Sequence, residues 1–335
     1  MNSFYAKGTF SLVYCFVITA ILLQVGLNSA GQMVQGKSPE SIFNTLNPNP
    51  AIISFSNQLQ LNNNGGHLQG IQFYQVNNRN YWILSGSSVT EAYLAVIAQG
   101  ENNEVISVKK LMDKPFKHAG GFQVFQNYLA VGIEDNDAKD KSKVCIYDIS
   151  KPENIDTKPL NVIEREGNPL RTTAGCVGIT RYKNKIILAV GDWDSKNIDF
   201  YTCNSDQFPH SNFKLSGSAN TENLSKKNWI DENWFPYQNI NLLSTSRDEL
   251  YLIGMGQNQK NENITDLYRL TESQGSFGFV KTASEIFDCQ QEVSFKAGAG
   301  IVTNNNGSFG IIACGYNIHE VSYLNYFSIN KIEEI

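Results

Sequence analysis

From about residue 67 onward, apolar residues recur at every second position in short runs punctuated by Gly, Asn and Asp; HLQGIQFY from His67 and IILAVG ending at Gly191 are examples. β-Branched and aromatic residues dominate these runs. Alternation with period two sends successive side chains to opposite faces of an extended chain, so the pattern predicts strands. Hardly any segment beyond the N-terminal apolar run carries a helical period. The expected class is all-β.

The strands recur in a fixed order. Five segments open on a small or Gly-rich step and continue into alternating apolar positions: HLQGIQFY from His67, HAGGFQVF from His118, TAGCVGIT from Thr173, PYQNINLL from Pro236 and KAGAGIVT from Lys296. Each is followed by an apolar strand that ends on glycine, at Gly86, Gly132, Gly191, Gly256 and Gly315. An aromatic-bearing third strand comes next (AYLAVIA, KVCIYDIS, IDFYTC, DLYRLT, YLNYFSI), and fourth strands are predicted around 105–111, 160–164, 213–215 and 279–287. A repeat of roughly 50 to 60 residues that holds four strands is the unit of a propeller blade. With five such units the chain resembles the five-bladed β-propeller superfold. The fifth unit lacks a fourth strand, while AIISFSNQL at 51–59 precedes the first unit unassigned. That segment is predicted to complete the last blade and close the ring, because an open stack would leave exposed strand edges.

The N-terminus reads differently. Lys7 is the only charge ahead of an apolar run over about 10–27, followed by Ser29, Ala30 and Gly31, the order of a secretory signal. The length of the run and Asn28 near the cleavage point leave an uncleaved membrane anchor as the alternative. The expected organisation is an export signal or anchor at 1–30, a linker at 31–50 and one propeller over 51–335, in a secreted, periplasmic or extracellular protein. A monomer is expected, without membrane insertion beyond that segment.

Composition narrows the partners. A hydrophobic share of 41% with 18% charged residues supports a packed core and excludes wholesale disorder. A net charge of -5 with no basic run argues against nucleic acid. Beyond Cys15 the cysteines are Cys145, Cys176, Cys203, Cys289 and Cys314, widely spaced and without a CxxC pair, so neither a zinc site nor a disulfide framework is indicated. Cys289 with Cys314 is the candidate bridge.

Blade topology places the loop entering each inner strand and the loop joining the second and third strands at the same end, where function is sought. His67, His118 and Lys296 head inner strands there; Glu134, Asp135 and Asp137 follow the second strand of the second unit, and Asp192, Trp193 and Asp194 that of the third. A long insertion at 217–235 adds Trp229, Asp231, Glu232 and Trp234. Tryptophans beside carboxylates suit flat, polyhydroxylated ligands, the ring covering an apolar sugar face while acids accept hydroxyl hydrogen bonds. The alternative is that the insertion buries its own aromatics. His67 and His118 occupy equivalent positions, a usage similar to that of WD-type propellers, where a histidine serves hydrogen bonds inside the blade. Glu134, Asp135 and Asp137 are candidate Ca2+ ligands, although the stretch lacks the Gly and terminal Glu of the EF-hand loop, and a solvated charged turn ranks ahead of calcium binding.

Three function classes follow: a secreted module that binds a glycan or a protein through the Trp and acid rim, a glycosidase-like or metal-assisted hydrolase, and a protein-interaction scaffold. In the second, Asp135 and Asp192 would be acid and base over the central channel. Glycosidases among five-bladed propellers usually carry acids at the heads of inner strands, where this chain has His67, His118, Thr173, Pro236 and Lys296. That departure, with no GxSxG, P-loop or HExxH motif, ranks binding above catalysis.

Overall fold

The computed structural model describes residues 37–61, 64–273, 275–304 and 307–329; the segment expected to be an export signal or anchor lies outside the described residues. The chain is a five-bladed β-propeller of four-stranded antiparallel blades. Blade 1 is β2 (Leu68–Val76), β3 (Arg79–Ser87), β4 (Glu91–Ala98) and β5 (Glu104–Asp113). Blade 2 is β6 (Phe116–Phe125), β7 (Tyr128–Asp135), β8 (Lys141–Asp148) and β9 (Asn161–Glu166). Blade 3 is β10 (Cys176–Tyr182), β11 (Lys185–Gly191), β12 (Asn197–Asn204) and β13 (Lys214–Asn220). Blade 4 is β14 (Tyr237–Ser244), β15 (Leu250–Gln257), β16 (Asn263–Ser273) and β17 (Ser276–Phe287).

Blade 5 takes β18 (Val293–Thr303), β19 (Phe309–Gly315) and β20 (Val321–Phe327) from the end of the chain and its outer strand, β1 (Ala51–Ser56), from the beginning. β1 runs antiparallel to β20, with Ala51 opposite Tyr326 and Ser56 opposite Val321. The ring is therefore closed by the N-terminal strand, and the last blade has no missing edge. The strand stops at Ser56, short of the predicted 59, where the Asn57 carboxamide turns the chain by accepting from the Leu59 N–H at 3.0 Å.

The stretch read as a linker carries structure. Pro39–Phe43 form helix α1, capped by the Ser38 hydroxyl, which accepts from the Ser41 N–H. Ile42 and Phe43 are buried and, with Leu46, join the apolar layer between blades 4 and 5. One helical turn is too short to register as a periodicity, which is why the sequence pattern passes over it.

Alternation along each strand produces five apolar clusters, one between each pair of neighbouring blades. Toward the axis the packing is polar and dense. A Cβ on Gly121 would stand 2.5 Å from the Gln238 carbonyl oxygen of blade 4, so glycine is what lets these inner strands approach. Buried amides join the strands across the axis: Gln72 donates to Asn241 Oδ1 at 3.0 Å, and Gln123 Oε1 accepts from the N–H groups of Ile179 and Leu242, each at 2.8 Å. These bonds couple blades 1, 2, 3 and 4 and fill the axis at this level. All five described cysteines are free, so Cys289 and Cys314 are unbridged.

Candidate functional site

A cavity of about 620 Å³ opens over the axis at the end where the second strands finish. Every blade contributes to it: His67 and Gln69 from blade 1, His118 and Glu134 from blade 2, Trp193 and Asp194 from blade 3, Tyr237 and Asn258 from blade 4, and Lys296 and Tyr316 from blade 5. Two sequence positions recur around the wall. One is the head of the inner strand, filled by His67, His118, Pro236 and Lys296. The other is the second residue after the glycine that ends the second strand, filled by Glu134, Trp193 and Asn258. The fifth member of the first set, Thr173, instead uses its hydroxyl to accept from the Trp193 N–H at 2.8 Å and fixes the loop that carries the indole.

His67 and His118 differ in role. An imidazole nitrogen of His67 lies 2.7 Å from the Leu68 carbonyl oxygen, the Gln69 amide stands against the same ring, and Tyr316 packs edge-on at 5.2 Å. His67 is thus held by its own strand. His118 is buried and stacks on the Trp193 indole, with centroids 5.8 Å apart and planes 24° from parallel. Burial pushes its pKa down to about 3, helped by His67, Lys139 and Lys117, so the ring is neutral. The Lys139 ammonium lies 3.8 Å from the Trp193 ring centroid, a cation–π contact that leaves the indole 37% exposed at the cavity edge.

Glu134 faces His118 across the β6–β7 ladder. The carboxyl is fully buried; Oε2 accepts from the Ala174 N–H at 2.8 Å, and Oε1 stands 3.6 Å from His118 Nε2. Burial pushes its pKa up to about 7, against the opposing pull of the Ala174 N–H, Lys139 and Arg165. Asp194 and Lys296 bring formal charge to the rim, where both are exposed.

The other expected site residues have been drawn into the scaffold. Asp192 is buried and accepts from the Asn197 backbone N–H at 3.0 Å and its side-chain amide at 2.6 Å, so it builds the β11–β12 turn rather than a site over the channel. Asp135 performs the same service for its own turn, accepting from the N–H groups of Asp137 and Ala138. Asp137 points outward and pairs with Lys117 at 2.7 Å. Glu134, Asp135 and Asp137 therefore serve three separate partners, and no metal-holding group of three or more such residues occurs among the described residues. The insertion folds back on blade 4. The Trp229 indole is buried and donates to the Phe279 carbonyl at 2.7 Å, and Trp234 packs 4.9 Å from Tyr237 and 5.0 Å from Tyr268. Asp231 meets the buried Lys281 ammonium at 2.9 Å. Of the three loop tryptophans, Trp193 alone lines the cavity.

The sequence reading passed over the amides Gln69, Gln238, Gln257 and Asn258 and the phenols Tyr237 and Tyr316, and it weighed Glu134 only as a calcium ligand. A signal for part of this set was present: the position two residues past the repeat glycine reads Ser88, Glu134, Trp193, Asn258 and Asn317, polar or aromatic in every blade.

No protein-family model matches the sequence, and no curated protein matches it. Solved structures do. The catalytic domain of the Coprinopsis cinerea GH62 α-L-arabinofuranosidase aligns with a TM-score of 0.51 at 11% identity, over 84% of this chain and 98% of that one. The Podospora anserina α-L-arabinofuranosidase, solved with cellotriose, aligns at 0.48 and 10% identity over 85% of this chain and 99% of that one. The Bombyx mori GH32 β-fructofuranosidase aligns at 0.47 and 12% identity over 88% of this chain and 69% of that one. At these identities the likeness is one of fold: the chain shares the five-bladed propeller architecture found in glycoside hydrolases.

Proposed function

We propose that the protein binds a carbohydrate in the cavity over the propeller axis. The observation that carries this reading is the chemistry of the wall: amides, phenols and an indole around about 620 Å³, with the formal charges of Asp194 and Lys296 kept to the rim. Amides and phenols both donate and accept, which matches a ligand dense in hydroxyl groups, and a volume of this size takes a sugar of more than one ring. The Trp193 edge supplies apolar contact for a ring face. The test is glycan-array binding by the wild type and by Trp193→Ala and Gln238→Ala. Selective retention by the wild type, weakened in both variants, supports the reading. A wild type that retains no glycan sinks it.

Glycoside hydrolysis is the second reading, and Glu134 favours it. A carboxyl held near neutrality by burial is what a general acid requires, and the fold is one that glycoside hydrolases use. Asp194 is the other carboxylate at this cavity, in place of the Asp135 and Asp192 pair expected from the sequence. Incubation with cellotriose, xylotriose and aryl glycosides of arabinose, xylose and fructose tests this. Turnover that disappears in both Glu134→Gln and Asp194→Asn would put hydrolysis ahead of binding. The export expectation would add a secreted setting to either activity.

A further inference from the structure

A second cavity, of about 470 Å³, opens on blade 5. Two connections wall it. The turn between β17 and β18 supplies Gln291 and Glu292, and the loop from β19 into the start of β20 supplies Tyr316, Asn317, His319 and Tyr323. Connections of these two kinds also form the axial cavity, so both cavities open at the same end of the ring, and Tyr316 lines both. One phenol therefore stands between the axis and blade 5, with His67 of the axial wall packed edge-on against it at 5.2 Å.

The backbone around the second cavity is pinned, while its side chains are left open. The Gln290 N–H donates to the buried Asn325 Oδ1 at 2.6 Å. The Val293 N–H donates to the Gln290 carbonyl at 3.2 Å, closing a turn whose central residues both have positive φ, 55° at Gln291 and 61° at Glu292. Such a turn favours Asn and Gly, and the β2–β3 turn complies with Asn77 at 51° and Asn78 at 59°. Gln and Glu lack that preference, so this turn holds two long polar side chains at the cavity against its own backbone propensity. On the facing loop, the Tyr316 carbonyl accepts from the Leu68 N–H of blade 1 at 2.8 Å, the Glu320 carbonyl accepts from the Asn57 N–H at 2.9 Å, and the His319 N–H donates to Ser322 Oγ at 2.8 Å. The side chains of Gln291, Glu292, Asn317 and His319 are exposed and are engaged by no hydrogen bond or ion pair from a described residue.

Amides, a carboxylate and an imidazole give donors and acceptors for hydroxyl groups, while Tyr316, Tyr323 and Val321, which is 54% exposed, give apolar contact for a ring face. The volume lies in the range that bound small ligands fill. Building on the carbohydrate reading, we propose that this cavity is a second sugar subsite, and that the ligand is an oligosaccharide that runs from the axis past Tyr316 and out over blade 5. The axial cavity holds one end of the chain, and blade 5 sets the preference for chain length.

Calorimetric titration of the full chain with cellotriose, cellohexaose, xylotriose and xylohexaose tests this. The wild type is compared with the double variant Asn317→Ala with His319→Ala and with Val321→Asp; the replaced residues are exposed, and thermal midpoints verify that the fold is kept. The wild type should hold the hexaose about thirtyfold more tightly than the triose, a severalfold statistical gain from the registers a longer chain offers, multiplied by about tenfold for one or two added hydrogen bonds. Both variants should lose that tenfold and keep the statistical part, with triose affinity unchanged, whereas Trp193→Ala should weaken both lengths. A hexaose gain that is only statistical in the wild type, or that both blade 5 variants retain in full, would overturn the second subsite and leave the carbohydrate reading standing. Variants that weaken triose and hexaose alike would place the short ligand on blade 5 and overturn the run from the axis. A wild type that binds neither series overturns the subsite; the carbohydrate reading itself falls on a blank glycan array.

Discussion

Replacing Phe55 by alanine tests the closure of the ring on a single side chain. Phe55 lies in β1, the strand borrowed from the N-terminus, and is 3% exposed. Its phenyl ring belongs to the apolar cluster between blades 5 and 1, with Ile97, Val105, Ile312 and Leu324. Truncating a phenylalanine in a packed core removes its transfer free energy and leaves a cavity, a combined loss of about 3–5 kcal/mol. Ile52 sits on the opposite face of the same strand and is 44% exposed, so Ile52→Ala should cost about 0.5 kcal/mol or less and controls for strand propensity. Equilibrium unfolding in urea, followed by far-ultraviolet circular dichroism and tryptophan fluorescence, measures both. Deletion of residues 1–61 should be worse than either substitution, because it removes six ladder pairs with β20 as well as Ile42 and Phe43 of α1. The closure would be refuted by a Phe55→Ala protein within about 1 kcal/mol of the wild type, or by a truncated chain that unfolds at the wild-type midpoint.

Three further outcomes are expected. Unfolded, the Glu134 carboxyl has its ordinary value of 4.5 and folded about 7, so native stability falls by about 3 kcal/mol as pH rises from 4.5 to 7. Glu134→Gln removes that loss: the two proteins should match near pH 4 and the variant should lead above pH 7, whereas parallel unfolding profiles would contradict the assignment. Lys281→Met strands the buried Asp266 carboxyl, at present 3.0 Å from the ammonium, and should cost about 3–5 kcal/mol in chemical denaturation, with partial recovery when Asp266→Asn is added. Trp234→Ala should act chiefly on stability, lowering the thermal midpoint through lost contact with Tyr237 and Tyr268, whereas Trp193→Ala should leave the midpoint nearly unchanged and weaken ligand binding; the reverse pattern would mean that the insertion carries the site.

The fold was legible because a propeller writes itself many times. Two markers, the small inner-strand step and the closing glycine of the second strand, recur in every blade, and the spare strand at 51–59 answers the missing edge of the last one. Helix α1 was hidden because a five-residue helix has no period to detect. The site was legible only in part. Topology placed His67, His118, Trp193, Asp194 and Lys296 at the end where the cavity opens, but nothing local distinguishes Asp192, which caps a turn, from Asp194, which lines the cavity two residues later. Trp229 and Trp234 look like a surface rim until the insertion is seen to fold onto blade 4, where Asp231 meets the buried Lys281 and Trp229 packs on Tyr268, contacts made only in the tertiary structure. Glu134 was hidden for a different reason: adjacent acids in a strand-to-loop turn look alike in sequence, and both are buried; only their partners separate them, the Ala174 N–H of the next blade for Glu134 and the Asp137 and Ala138 N–H groups of its own turn for Asp135.

Saturation-transfer difference NMR with cellotriose and xylotriose bears most directly on the central claim, since it reports contact between sugar protons and the protein whether or not the sugar is cleaved. Transfer to the ring protons of at least one sugar in the wild type, strongly reduced in Trp193→Ala and Gln238→Ala, is the predicted result. Equal transfer in the wild type and both variants would place any binding outside the cavity over the axis and contradict the account.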